Sequence, residues 1–118
     1  MHGVPPDLPL DRFLGEACTL IEIGRFEIVF VFPDAGTIRV HRGWELCDGS
    51  DRMIDRMQEH DERDGYRVHR LIGLPVRRYD IDPPASFTLH FEGGFSLTIF
   101  DDDDCYESFS IEPDGIYI

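Results

Sequence analysis

The chain has 118 residues, 42% of them hydrophobic, which suffices for the core of one domain. Its 24 acidic side chains outnumber 11 basic ones, giving a formal net charge of −13, and the basic ones are all arginine. The lack of lysine excludes Schiff-base chemistry and the lysine-bearing phosphate loop, and the acidic excess disfavours nucleic-acid binding because phosphates are repelled. A field of this sign attracts a basic protein partner; alternatively, it only maintains solubility.

The first residues and the cysteines predict a cytoplasmic protein. The segment from Met1 to Pro9 has neither a basic start nor an apolar stretch, so we expect no signal peptide. The longest aliphatic and aromatic run, Ile28 to Phe32, is too short to cross a membrane. Cys18, Cys47 and Cys105 show no CxxC spacing, which indicates structural thiols in a reducing compartment.

In chain order, the first half predicts an extended proline-containing arm, a short helical turn and three strands. The turn is expected over 11–15 and the strands over 18–23, 26–32 and 37–41, because β-branched and aromatic residues are concentrated there. A turn from Pro33 to Gly36 joins the last two strands.

The segment from Ser50 to Asp64 predicts a helix. Ser50 or Asp51 can cap its start and Gly65 can end it. Met53, Ile54 and Met57 would form its apolar stripe, and the charged residues Asp55, Arg56, Glu59, Glu62 and Arg63 would face solvent. Further strands are expected over 66–72, 76–81, 87–91, 95–100, 106–111 and 116–118.

The two halves repeat the same β-hairpin. Five apolar positions of the first half recur 59 residues later without a gap: Ile28, Phe30, Phe32, Ile38 and Val40 return as Phe87, Leu89, Phe91, Leu97 and Ile99. Gly15 similarly returns as Gly73, at a spacing of 58. We therefore expect one domain over 1–118, with pseudo-repeats over about 13–46 and 71–111 joined by the helix over about 50–64.

The period of two residues along a strand predicts the hairpin register. A three-residue loop, Glu92-Gly93-Gly94, keeps the apolar side chains of the second hairpin on one face. Phe87 should then pair with Ile99, and Ile28 with Val40.

The first hairpin differs from the second in being apolar on both faces. Val29 and Val31 stand where the second copy has Thr88 and His90. The predicted helix stripe would cover the extra face; a dimer or partner surface is the alternative. Trp44, the one tryptophan, is either a core anchor or an interface residue.

Candidate chemistry is sparse. Asp101, Asp102, Asp103 and Asp104 could hold a hard cation, but their spacing does not match a calcium loop, and a hydrated acidic turn is favoured. His41, His60, His69 and His90 form no metal-binding pattern. No nucleophile or phosphate-binding motif occurs. The prediction is a protein that is not an enzyme and has no cofactor and no metal.

The stretch from Leu71 to Ile111 combines a glycine-led strand, an alternating hairpin around Gly94, an acidic turn and the string Tyr106-Glu107-Ser108. It resembles a group of small uncharacterised bacterial domains, some of which are regarded as immunity proteins that neutralise a toxin. The resemblance implies protein binding and supplies no catalytic residues. The first copy has Arg42-Gly43-Trp44 in place of the acidic turn, so the halves should differ in function.

We expect a mainly β α+β fold, in which two repeated hairpin units form a sandwich or a partly closed barrel with one covering helix. The expected function is binding of a basic toxin by steric and electrostatic occlusion. The partner-binding residues would be Asp101, Asp102, Asp103, Asp104, Glu107 and Trp44. Two alternatives stay open: a self-associating structural domain, with a homodimer, and a metal-dependent hydrolase using the aspartates. No nucleic acid or membrane partner is expected.

Overall fold

In the computed structural model, the described residues are 3–58, 62–101, 108–112 and 116–118, with only the backbone described at 116 and 117. They form ten strands: β1 Leu20–Ile23, β2 Ile28–Phe32, β3 Gly36–Val40, β4 Trp44–Cys47, β5 Met53–Arg56, β6 Val76–Asp82, β7 Ser86–Phe91, β8 Ser96–Phe100, β9 Phe109–Glu112 and β10 Ile116–Tyr117. Short 3-10 turns, Asp11–Phe13 and Val68–Leu71, precede β1 and β6. No helix of this described part is long and apolar enough to cross a membrane.

The two halves exchange strands. One antiparallel sheet has the order β1-β2-β3-β9-β10, and the other has the order β5-β4-β8-β7-β6. The hairpin β4–β5 of the first half therefore completes the sheet of the second half, and β9–β10 completes the sheet of the first. The exchange is reciprocal down to the register, since Val40 of β3 pairs with Phe109 and Ile99 of β8 pairs with Trp44.

The predicted hairpin registers are confirmed. Ile28 pairs with Val40 in the first hairpin, and Phe87 pairs with Ile99 in the second. The Phe91 N–H donates to the Phe95 carbonyl at 2.8 Å, which closes the expected three-residue loop. Alternation of apolar and polar residues thus fixes which face of each hairpin is buried.

The inner faces of the two sheets pack on one another as a sandwich, as predicted. Phe30 is fully buried and Phe91 is 3% exposed, on opposite sheets. Across the interface the ring of Phe87 meets that of Phe109 edge to face, with centroids 5.0 Å apart. Each such buried aromatic side chain contributes roughly 1.5–3 kcal/mol, so the shared core accounts for much of the stability.

The helix predicted over 50–64 is wrong, because Met53–Arg56 is the strand β5, paired with β4. The carboxylate of Asp48 accepts hydrogen bonds from the Ser50 and Arg52 N–H groups, at 2.8 and 3.1 Å, and so builds a turn where a helix start was expected. Residues 59–61 of that prediction lie outside the described residues.

The covering helix is consequently not what buries the second face of the first hairpin. Val29, only 3% exposed, is flanked on that face by Glu22 of β1 and Arg39 of β3, its register partners. Arg39 also pairs with Glu27. The aliphatic stems of neighbouring charged residues can cover such a valine, so no separate layer is needed there.

The strand predicted over 66–72 is also wrong, because Val68–Leu71 is a 3-10 turn. The buried carboxylate of Asp55 accepts hydrogen bonds from the backbone N–H groups of Arg67, at 2.7 Å, and Val68, at 2.9 Å. A carboxylate that satisfies the first donors of a helical turn favours that turn over an extended strand.

Candidate binding cleft

The acidic cluster expected to bind a partner lies mostly outside the described residues, which omit 102–107 and with them Asp102, Asp103, Asp104 and Glu107. The carboxylate of Asp101 is engaged within the fold: it accepts hydrogen bonds from the Gly3 N–H and, at 2.9 Å, from Ser108 Oγ. Asp101 therefore ties the N-terminal arm to Ser108, the residue just before β9.

Trp44 lies instead beside a cleft at one end of the sandwich. The β1–β2 loop, from Gly24 to Glu27, forms one side, and His41 and Arg42, after β3, form another. The cleft encloses about 40 Å³, room for one small side chain or a functional group. Trp44 is 5% exposed, so it serves as a core anchor that also lines the cleft.

Arg63 is a buried cation beside this tryptophan, although the sequence pattern placed it in solvent. Its side chain is 3% exposed, and its guanidinium carbon lies 3.8 Å from the ring centroid of Tyr66 and 6.0 Å from that of Trp44. Aromatic faces stabilise a cation in this position.

Hydrogen bonds hold the same guanidinium in place. It donates to the Arg56 carbonyl at 2.5 Å and the Gly65 carbonyl at 3.0 Å, and lies 3.3 Å from a carboxylate oxygen of Asp55. Its Nε is buried without a hydrogen-bond partner among the described atoms. The expectation that Asp55 faces solvent is likewise wrong, because its side chain is 5% exposed.

The rim of the cleft is apolar and exposed. Ile23 is 43% exposed, Phe26 76% and Met57 41%, and all three line the cleft. The guanidinium of Arg25 lies 5.4 Å from the ring centroid of Phe26. An aromatic and arginine-rich cleft with an apolar rim has the composition of a protein-binding hot spot.

Further polar contacts lie on the second sheet, away from the cleft. Asp80 on β6 contacts His90 at 2.7 Å and Arg78 at 2.9 Å, but its side chain is 63% exposed. Thr88 and Thr98 share a 2.8 Å hydroxyl contact on the same sheet. Within the part of the chain that is described, no three His, Cys, Asp or Glu side chains group as metal ligands.

The sequence pattern identified Trp44 but missed Phe26 and Arg63. Phe26 follows Gly24-Arg25 between two strands, where turns usually carry small polar residues; an aromatic residue at that point was the available signal. The sequence around Arg63 gave no such signal, because its burial depends on contacts with Asp55 and Tyr66 that form only in the folded chain.

Comparison with known proteins gives no match: no family model, no curated protein and no solved structure matches the chain.

Proposed function

We propose that this chain is a non-enzymatic binding protein that recognises another protein through the cleft beside Trp44. The observation that carries the proposal is the gathering of Ile23, Phe26 and Met57 on one rim, each more than 40% exposed. Scattered exposed apolar residues are ordinary, but a cluster around a cleft is typical of an interaction site. Phe26 leaves about three quarters of its surface in water, a cost that a partner would remove.

The specific form of the proposal is an immunity-type inhibitor that occludes a basic toxin. The net charge of −13 supports it, because a field of that sign accelerates encounter with a basic partner. The resemblance of residues 71–111 to such domains supports it as well. In this scheme the negative charge attracts the partner, and the apolar side chains of the rim are then buried against it.

The test is co-expression with a toxin encoded by an adjacent gene, followed by measurement of growth and of the affinity of the purified complex. We expect Phe26→Ser to weaken binding at least about tenfold, as truncation of a central aromatic contact does. Ile72→Ser is the matched control, since Ile72 is 45% exposed but does not line the cleft. Affinity and association rate should both fall as salt rises. An unaltered affinity of Phe26→Ser would contradict the proposal.

A second candidate function is self-association through the outer face of the first hairpin. Leu20, 51% exposed, is paired with the half-buried Val31 on that face, and β1 is an edge strand. Exposed apolar edges can pair with a second copy. Sedimentation would show a dimer that Leu20→Asp dissociates and Phe26→Ser does not, whereas a monomer at all concentrations rules this candidate out.

A further inference from the structure

The strand β1 forms one edge of its sheet. It is the first strand in the order β1-β2-β3-β9-β10, so among the described strands it pairs only with β2. Every residue from Thr19 to Phe26 is exposed except Ile21, which is half-buried. An edge strand of this kind presents a row of backbone N–H and C=O groups with which a further strand can pair.

One hydrogen bond shows which residues of β1 present these groups. The Thr19 N–H donates to the Val31 carbonyl at 3.0 Å, so Val31 directs its backbone groups toward β1, and Val29, two residues earlier in β2, does the same. The register partners of these two valines therefore bond to β2. The residues that alternate with those partners, Ile21 and Ile23, direct their N–H and C=O groups to the open side.

The equivalent strand of the second half is protected against such pairing. At the 58-residue spacing of the two repeats' glycines, Leu20 corresponds to Arg78 and Glu22 to Asp80, so β1 corresponds to β6. On β6 the side chains of Arg77, Arg78 and Asp80 are 61%, 65% and 63% exposed. Charged side chains on an edge strand discourage the addition of another strand. On β1 the exposed Leu20 stands where β6 has an arginine, so this protection is missing.

From this difference we infer that the partner protein adds a strand to β1, with a basic side chain opposite Glu22 and aliphatic side chains opposite Ile21 and Ile23. The added strand runs antiparallel, as does every pair of described strands in both sheets. Ile21 and Ile23 are register partners of the buried Phe30 and Ile28, so aliphatic side chains beside them extend the core. Glu22 is the one charged residue of β1, and an opposite charge across the pair is favourable.

A second copy of this chain fits the edge less well. The antiparallel register that pairs Ile21 of each copy with Ile23 of the other uses the outward groups of both residues. The same register sets Glu22 directly opposite Glu22 of the second copy, and like charges in that position are destabilising. Two chains that each carry a net charge of −13 also repel one another. A strand with a basic residue at that point avoids both costs.

This inference rests on the proposed binding function and names the segment of the partner that is recognised. Ile23 belongs both to β1 and to the rim of the cleft, so a strand added to β1 continues the surface that includes Phe26. In strand addition the backbone hydrogen bonds supply affinity, and alternate side chains supply specificity.

A blocked six-residue peptide, Thr-Val-Arg-Val-Leu-Thr, tests the inference. Bound antiparallel, it places its valines opposite Ile23 and Ile21 and its arginine opposite Glu22. N-methylation of both valines removes the N–H groups that would bond to β1, whereas N-methylation of the arginine and leucine removes N–H groups that point away. Amide chemical shifts of the labelled protein measure the affinity. We expect saturable binding, weakened at least about tenfold by the first modification and little changed by the second.

Amide hydrogen exchange gives a readout that binding through side chains alone would not change. In the free protein the Ile21 and Ile23 amides should exchange faster than the Glu22 amide, which bonds to β2. The peptide, or the partner itself, should slow the exchange of Ile21 and Ile23 and leave that of Glu22 little altered.

Charge reversal at Glu22 provides the complementary test. Glu22→Arg should reverse the preference, so that a peptide with glutamate in place of arginine binds at least about threefold better than the original. Asp80→Arg is the control, since Asp80 is exposed at the equivalent position of β6, and this variant should keep the original preference.

Three results would overturn the inference: no binding of the unmodified peptide at millimolar concentration, equal binding of the two N-methylated peptides, or protection of the Ile21 and Ile23 amides by raising the concentration of the protein alone, which identifies a second copy as the occupant. A partner complex that needs Phe26 but leaves these two amides unprotected rejects the inference and leaves the proposed function standing. A complex that Phe26→Ser does not weaken rejects the proposed function itself.

Discussion

Gly15 and Gly73 make equivalent hydrogen bonds, each donating its N–H to a carbonyl of the other half of the molecule. The Gly15 N–H donates to the Val76 carbonyl and the Gly73 N–H donates to the Cys18 carbonyl, both at 2.8 Å. Each glycine follows a 3-10 turn of its own half and bonds to the chain at or just before the first strand of the other half. The two halves are therefore held together by these reciprocal hydrogen bonds as well as by the exchanged strands.

Replacing either glycine by alanine should destabilise the fold by about 1–2 kcal/mol. Their φ angles are +80° and +87°, and a Cβ at either position would touch nothing within 4 Å, so the cost is that of the left-handed backbone alone. Urea denaturation measures it. Gly65→Ala is the control, because a Cβ at Gly65 would also touch nothing within 4 Å and its φ angle is not positive. The stability of this variant should be unchanged or raised. Equal losses at all three positions would contradict the argument.

The paired glycines of the β7–β8 loop separate backbone strain from close contact. Both have positive φ, +89° at Gly93 and +88° at Gly94, but a Cβ on Gly94 would lie 2.8 Å from the Cα of Gly49, whereas one on Gly93 meets only the Phe95 ring, at 3.6 Å. Gly94→Ala should therefore cost at least about 1 kcal/mol more than Gly93→Ala. Denaturant midpoints give the difference in stability. A smaller loss of stability for Gly94→Ala than for Gly93→Ala would show that the β7–β8 loop does not pack this closely on Gly49 of the β4–β5 loop.

Asp55 should be the most costly carboxylate to remove among those described in strands. It accepts from Arg67 and Val68 and pairs with the buried Arg63. Asp55→Ala leaves these donors and a buried cation without their partner, which typically costs about 3–5 kcal/mol. Asp80→Ala removes an exposed ion pair and should cost less than about 1 kcal/mol. Chemical denaturation compares the two; losses of similar size would refute the role given to Asp55.

Asp48 makes the β4–β5 turn dependent on pH. Hydrogen bonds from the Ser50 and Arg52 backbone N–H groups lower the pKa of its carboxyl below the ordinary value. The folded state therefore binds this proton less readily than the unfolded chain, so the stabilisation is present above about pH 4 and is lost as the pH falls through the lowered pKa. Thermal melts of the natural protein and Asp48→Ala should differ at pH 7 and converge in acid. A gap that stays constant with pH would exclude this role.

The strands of the hairpins could be predicted because their evidence is local. Alternation places Phe87, Leu89 and Phe91 on one face, and only one loop length keeps Leu97 opposite Leu89. The strand exchange could not be predicted in this way. Trp44 and Phe109 both follow their hairpins with the same inward pattern, and nothing local distinguishes pairing with the strand of the same half from pairing with that of the other.

The false helix shows a second limit of local patterns. Met53, Ile54 and Met57 are spaced as a narrow helical stripe would require, but β5 forms because it pairs with β4 across the Asp48 turn. The same error hid the cleft, since a helix over 50–64 would place Arg63 in water. The buried position of Arg63 depends on Tyr66 and Asp55 together, which are brought near it only by the folded chain.

Because each half supplies a hairpin to the sheet of the other, the two halves depend on one another as the subunits of an obligate dimer do, although they belong to one polypeptide. Neither repeat contains a whole sheet, so deleting either one would leave the other with its third strand, β3 or β8, bare on one side. Because both partners of this internal dimer are tethered, their assembly does not depend on how much protein a cell makes. Fusion also allows the two copies to diverge at equivalent positions. At the spacing of 59 residues that relates the hairpins, Arg42 corresponds to Asp101, and the two side chains have opposite charges, whereas a homodimer would carry the same residue twice.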